Sequence, residues 1–293
     1  MIANAPANGC SISWTATGWR ARLLAEAAQR ATGTLHLAVK RRGDATVLDR
    51  FRQEGCLKAR LPRPERGAWT TAVTLNSSGG VAQGDRLSTA VTAGAGTRLT
   101  VASQAAERFY RSPGGDPAQV RTTLTVAPGA ALEWLPQEAI LFDECALDRR
   151  LDIDLAEDAW LLAVETLVFG RALMGETVRQ ASLRDTIRVR RAGALLLHDA
   201  IRLQGPVQDV LDRPAVAAGG RAVATLIHAG PGAAAALDGL RSALAPFEAG
   251  ASVIQGVLVA RVVARDGACA RAAIVAGLAA LRQGRPLPRV WSC

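Results

Sequence analysis

The chain has 293 residues, 35 basic against 26 acidic, for a formal charge of +9; 49% of its residues are hydrophobic and 21% charged. That length supports one or two domains with a sizeable core, and that composition excludes a disordered chain. No run of about 18 apolar residues occurs, which excludes a helical membrane span, and the five scattered cysteines form no CxxC pair, which argues against a zinc knuckle or a disulfide framework and fits a reduced, cytoplasmic setting.

Residues 1–20 read as irregular or weakly extended, with neither the basic nor the apolar region of a secretory signal. From there to His198 the chain reads mostly as β. Short apolar, β-branched runs at 72–75, 87–92, 99–102, 120–126, 151–155 and 186–190 are separated by turn residues such as Gly94-Ala95-Gly96 and Pro128-Gly129. Leu124 and Val126 show the strand alternation. Such spacing predicts a sandwich, a barrel or a helical coil of strands, but no fixed repeat length stands out. Beyond a Gly/Pro-rich boundary at 205–220 the pattern changes. Strands are expected at 221–228 and 252–264, and helices at 233–247 (Leu237, Leu240, Leu244) and 269–282 (Ala273, Leu278, Leu281). The reading is one domain over 1–293, with 221–293 a candidate α/β subdomain.

Four stretches carry candidate chemistry. In Asn76-Ser77-Ser78-Gly79-Gly80-Val81-Ala82-Gln83-Gly84-Asp85, the Gly79–Gly84 spacing is that of a phosphate loop, yet Asp85 and Arg86 stand where lysine and a hydroxyl residue are needed. A tight glycine loop between strands is the better reading. Glu107 to Arg111 holds the only tyrosine, Tyr110, among arginines. Residues 133–158 contain nine acids and two arginines inside a basic chain. Within this block Glu133, Glu138 and Asp143 lie among apolar residues. Finally, Glu165 and Glu176 flank Gly170-Arg171. Carboxylates so spaced suit a weakly held cation, or a glycosidase-like acid–base pair of Glu165 and Glu176. Equally, they suit bracing of loops by Arg108, Arg111 and Arg171. The positive charge invites a nucleic-acid reading, but the arginines are dispersed with little aromatic interleaving. No GxSxG, HExxH or Cys–His signature is present.

Taken in order, the Gly79-Gly80…Gly84-Asp85 loop, Gln104-Ala105-Ala106-Glu107…Tyr110-Arg111, Trp134-Leu135-Pro136-Gln137-Glu138, Gly170-Arg171 with Gly175-Glu176, and Pro288-Arg289-Val290-Trp291 resemble the urease accessory protein UreD (UreH) family, over about 35 to 291. Asn76-Ser77-Ser78 departs from the His-Pro-Pro or Asn-Thr-Ala that other members carry. The resemblance implies a mainly-β, β-helical stack of short strands with two α-helices in the C-terminal third. It implies a non-catalytic chaperone that binds apo-urease and recruits UreF and, through it, the GTPase UreG, so that nickel enters urease. It further implies dimers within a larger complex, no tightly bound cofactor and nickel at most in transit. Partner contact is expected at Gly79, Gly80, Gly84, Asp85, Glu107, Tyr110, Arg111, Gly170 and Arg171. Glu138, Asp143, Glu165 and Glu176 are the candidate nickel path.

Overall fold

The computed structural model describes residues 30–62, 69–112, 114, 116–171, 174–282 and 284–292; the expected irregular segment at 1–20 lies outside them. The chain enters on β1 (Thr32–Arg42), returns on β2 (Ala45–Gly55), and passes through β3 (Leu57–Arg60) to β4 (Thr70–Asn76). Three stacked turns follow. The first is β5 (Arg86–Ala93), β6 (Arg98–Ser103) and β7 (Glu107–Phe109), and the second is β8 (Ala118–Val126), β9 (Ala131–Leu135) and β10 (Ala139–Leu141). The third is β11 (Cys145–Leu155) with the long β12 (Trp160–Phe169). A hairpin of β13 (Gln180–Arg191) and β14 (Ala194–Pro206) leads to α1 (Val207–Leu211), β15 (Ala222–Ala229) and α2 (Leu237–Leu244). The remainder is β16 (Ala249–Ile254), β17 (Val257–Ala264), α3 (Gly267–Leu281) and a 3-10 turn at Arg289–Trp291.

Each turn of the coil places one strand in each of two sheets. The first sheet runs β14-β13-β11-β8-β5-β1-β2, and the second runs β16-β17-β15-β12-β9-β6-β4-β3, with β10 and β7 continuing beside β12. Strands from successive turns pair in parallel. This is the expected β-helical stack, with helices in the C-terminal part. Its corners repeat as well: Thr97, Ala130 and Ala159 each donate a backbone N–H to the carbonyl three residues back. The lack of a sequence period has a direct cause. Leu87 sits beside Val120, Val120 beside Arg149 and Arg149 beside Asp185, steps of 33, 29 and 36 residues. The corners are constant and the loops on the other side vary.

Three expectations on the C-terminal third need correction. The single strand at 252–264 is a hairpin, because Gln255 and Gly256 both take positive φ (47° and 78°), the two-residue turn that matches strand twist. The helix at 233–247 shortens to α2. Pro246 has no N–H with which to continue the helical ladder, and Gly232 takes φ 83° at the other end. The 205–220 boundary contains the short α1, whose Val207 and Leu211 are buried, so three α-helices rather than two lie among the described residues. The stretch at 221–293 builds onto the same second sheet, since β15 pairs with β12 over eight residues.

The described core has three apolar blocks. Two lie between the sheets, one around Leu37, Leu99, Leu132 and Ile153, the other around Leu35, Phe109, Leu141 and Leu167. The third lies on the outer face of the second sheet, where α2, α3 and Trp291 cover it. A charged clasp closes this outer block. Glu133 is fully buried on β9 and receives Arg282 Nε and Nη2 at 2.9 and 3.0 Å, Arg285 Nη2 at 2.7 Å and the Thr100 hydroxyl at 2.6 Å. Nearby, Trp291 Nε1 donates to Leu135 O at 3.1 Å, and Gln137 Nε2 donates to Val290 O at 2.8 Å.

Burial alone would raise the Glu133 carboxyl, but the Arg282 and Arg285 guanidiniums and the Thr100 hydroxyl outweigh it and hold the group below its ordinary value. A carboxyl depressed in the folded state stabilises above its unfolded pKa and loses that contribution as pH falls through the folded value. Glu133→Gln, which leaves two guanidiniums unpaired, is expected to lower stability by about 3–5 kcal/mol at pH 7. Its melting temperature should also fall less steeply with acid than that of the parent. Thermal unfolding from pH 7 to 3 checks both.

Candidate functional site

The alternation that builds the coil also creates a polar stratum inside it. On β11 the inward residues run Leu147, Arg149, Leu151; on β13 they run Leu183, Asp185, Ile187. On β12, Glu165 falls between Ala163 and Leu167. Arg149 bridges the two sheets: Nε and Nη2 bond Asp185 at 2.9 and 2.6 Å, and Nη1 meets Glu165 at 2.6 Å. Trp134 Nε1 donates to the other Glu165 oxygen at 2.8 Å. Burial, then repulsion from Asp185, raises the Glu165 carboxyl against the pull of Arg149 and Trp134.

This stratum is the inner wall of a cavity of about 260 Å³. The cavity runs outward past Thr122, Gln137 and Glu107 to exposed Gly79, Gln104 and Arg108. Glu107 accepts from Asn76 Nδ2 at 3.1 Å, and burial raises its carboxyl too.

The loops at the outer end are tied together. Asn76 Oδ1 accepts from Ser78 N and Oγ at 3.0 and 2.6 Å, which folds the glycine loop back. Gly79, Gly80 and Gly84 all take positive φ (79°, 149° and 75°). At Gly80 an added Cβ would stand 2.3 Å from the Tyr110 ring, whose hydroxyl donates to Gly79 O at 2.8 Å. Asp85 is buried and accepts the N–H groups of Ala31 and Ala82, each at 2.7 Å. Its carboxylate thus braces the loop where a phosphate loop would need a cation. Tyr110 meets Phe142 edge-on, and the Arg171 guanidinium lies 4.2 Å from the Phe142 ring centre. Arg111 pairs with Glu144 at 2.5 Å, and Gly170 lets the chain turn so that Arg171 reaches Glu176 at 2.7 Å.

The structure therefore brings Gly79, Gly80, Gly84, Asp85, Glu107, Tyr110, Arg111, Gly170 and Arg171 to one end of the coil. Of Glu138, Asp143, Glu165 and Glu176 it brings together only Asp143 and Glu176, whose Oε1 accepts the Asp143 backbone N–H at 3.4 Å. Each has its own guanidinium, namely Arg271 at 3.2 Å, Arg179 at 2.9 Å, Arg149 at 2.6 Å and Arg171 at 2.7 Å. Of the four only Glu165 lines the cavity. Asp143 also accepts the N–H groups of Arg179 and Gln180; burial opposes this, but these bonds hold its carboxyl below the ordinary value. Among the described residues no three His, Cys, Asp or Glu side chains are grouped to hold a metal ion. Glu165 and Glu176 occupy separate places, one in the cavity wall and one beside Arg171, so they do not form a glycosidase pair. Of the expected arginine braces, Arg171 holds Glu176 and Arg111 holds Glu144, while Arg108 pairs with none of the four.

Sequence reasoning missed Arg149 and Asp185. Their signal was present, because each is a charge at an inward position between two buried apolar residues. Burial raises the Cys56 thiol and pushes Cys145 up to about 12, so neither is a ready thiolate.

Residues 31–292 match the family described as UreD urease accessory protein. The chain belongs to the UreD family. It is 45% identical over 264 residues to the urease accessory protein UreD of Rhizobium leguminosarum bv. trifolii (strain WSM2304), covering 90% of this chain and 96% of that one. It is 46% identical over 267 residues to the UreD of Chelativorans sp. (strain BNC1), covering 90% and 95%. The UreD of Methylobacterium sp. (strain 4-46) is 46% identical over 256 residues, covering 85% and 90%. Membership assigns the chain to urease maturation in an accessory role. No helix among the described residues is long and apolar enough to cross a membrane.

The loop geometry sets a graded expectation. Gly80→Val must adopt a disfavoured φ and displace Tyr110, whereas a side chain at Gly79 meets open space. Gly80→Val should lose at least about 2 kcal/mol, and Gly79→Ala only about 1 kcal/mol. Chemical denaturation measures both, and amide exchange over residues 76–86 should report local opening only in the Gly80 variant.

Proposed function

We propose that this chain is a non-catalytic scaffold of urease maturation that binds apo-urease and recruits UreF and, through it, the GTPase UreG for nickel insertion. The observation that carries the reading is the gathering of two sequence-distant stretches, around Asn76–Gly79 and Gln104–Phe109, at the mouth of one cavity walled by Glu107, Glu165 and Arg149, with Arg171 joined to them through Phe142 and Tyr110. Two further blocks, Trp134 to Glu138 and Pro288 to Trp291, meet in the outer clasp, where Arg271 joins Gln137, Glu138 and the Trp291 carbonyl. Such loops make a shaped, rigid surface for partners. They supply no nucleophile held by a base.

In this reading nickel is cargo, and it passes single carboxylates rather than resting among several. At each of Glu138, Asp143, Glu165 and Glu176 a guanidinium already stands in the cation's place, so a divalent ion binds by displacing an arginine and is released when the arginine returns. Weak, exchangeable oxygen ligation of this kind suits transfer better than thiolate or imidazole clusters would. The cytoplasm and a dimeric larger complex are the setting expected for that work.

The amide series tests the path. Glu138→Gln, Asp143→Asn, Glu165→Gln and Glu176→Gln are expected to retain UreF capture and to melt within a few degrees of the parent. For Glu165→Gln, Arg149 keeps both bonds to Asp185, and Arg179 and Arg171 are largely exposed. Urease activity in cells at limiting nickel should fall severalfold and recover in part when nickel is added. Full activity in all four at limiting nickel would remove the path and leave the scaffold standing. Loss of UreF capture with intact folding would instead place these residues in the partner surface.

A further inference from the structure

The two faces of the coil are dressed differently. Helices and the 284–292 segment cover the outer face of the second sheet, while the outer side chains of the first sheet stand in solvent. Seven strands about 4.8 Å apart and roughly eleven residues long make a surface of about 1,000 Å². One partner's share of a standard protein interface is about 800 Å².

The charges on this face are out of balance around the β13–β14 hairpin. A single carboxylate, Asp152, is approached by three guanidiniums: Arg150 at 2.5 Å, Arg188 at 2.8 Å and Arg190 at 3.7 Å. Its one negative charge does not balance the three positive ones. Four residues back along β13 from Arg188, Arg184 stands directly opposite Arg202 of β14. Both are exposed, and neither has an ion-pair partner among the described residues. Like charges directly opposite across strands destabilise a sheet. On its other side Arg184 faces Asp148 of β11, but that carboxylate is bonded to Arg121 at 2.9 Å, and Arg202, on the edge strand, has no carboxylate opposite it; negative charge brought from outside would relieve the pair.

We infer that the outer face of the first sheet, centred on Arg184 and Arg202, is a docking surface for a carboxylate-rich face of a partner protein. The pattern favours a protein over a nucleic acid. Asp148, Asp152 and Asp154 are interspersed with the arginines and would repel a continuous phosphate backbone, and the outward positions of β11, β13 and β14 offer no Phe, Tyr or Trp ring on which a base could stack, only the His198 imidazole. A protein partner can place carboxylates against the arginines and its own cations against the aspartates. This inference rests on the reading of the chain as a urease scaffold, and takes the urease apoprotein as the bearer of the acidic face.

The test uses the full chain, urease apoprotein from the same organism and a 30-base-pair DNA duplex, each titrated at about 50 and 300 mM salt. The parent is expected to bind the apoprotein and to lose at least about tenfold in affinity at the higher salt. Arg184→Glu/Arg202→Glu should lose at least about tenfold at the lower salt. The single variant Arg202→Glu should bind more weakly yet melt at or above the parent temperature, because its new carboxylate faces Arg184. A purely structural pair of arginines would not separate binding from stability in this way. Unchanged affinity in the double variant overturns the inference, as does tighter binding of the duplex than of the apoprotein. Urease activity in cells is read in parallel. If the parent raises it and the double variant does so equally, the docking face falls and the scaffold stands; if the parent has no effect, both fall.

Discussion

A single guanidinium inside the coil sets the terms for the rest of the molecule. Arg149 ties β11 and β13 of one sheet to β12 of the other, through Asp185 and Glu165. Water is replaced there by three charges that hold one another. Such a group adds little net stability compared with packed apolar side chains, but losing the guanidinium, which would leave two buried carboxylates facing each other, is costly. What it provides is a fixed break in the hydrophobic interior. The two inner blocks stop on either side of it, and the space between them remains a cavity with polar walls. Without that stratum the parallel sheets would close on each other, and the mouth loops would frame a solid core.

The charge distribution follows a related logic. In sequence, residues 133–158 form an acidic island in a basic chain. In space the island is dispersed, because its carboxylates are met by arginines from elsewhere: Arg121 at Asp148, Arg188 at Asp152, Arg179 at Asp143, Arg111 at Glu144, Arg271 at Glu138 and Arg282 at Glu133. The dispersed arginines that argued weakly for nucleic acid thus have a structural use.

Much of the fold was legible where one residue's environment repeats locally. Leu124 and Val126 alternate as a strand must, and Gly94-Ala95-Gly96 and Pro128-Gly129 mark corners because few other residues turn so sharply. The stacking was not legible, since register steps of 33, 29 and 36 residues erase any period while leaving each turn intact. The mouth residues were visible as motifs because loops that fold tightly demand particular residues, as Gly80 does beneath Tyr110. The partners of the carboxylates were not visible, because an ion pair between Glu133 and Arg282 spans 149 residues and leaves no local trace.

That span has a consequence for how the chain comes to be folded. The inner coil is assembled from neighbouring turns and can close as it is made. The outer block cannot: Trp291 reaches Leu135 across 156 residues of sequence, and Arg271 reaches Gln137 across 134. Until those residues leave the ribosome, the outer face of β9 and its neighbours, with Leu135, Leu162 and Val164, lies bare. A nascent UreD chain therefore passes through a half-clad stage with an exposed sheet, in which shielding by other chaperones or slow synthesis matters more than final stability does.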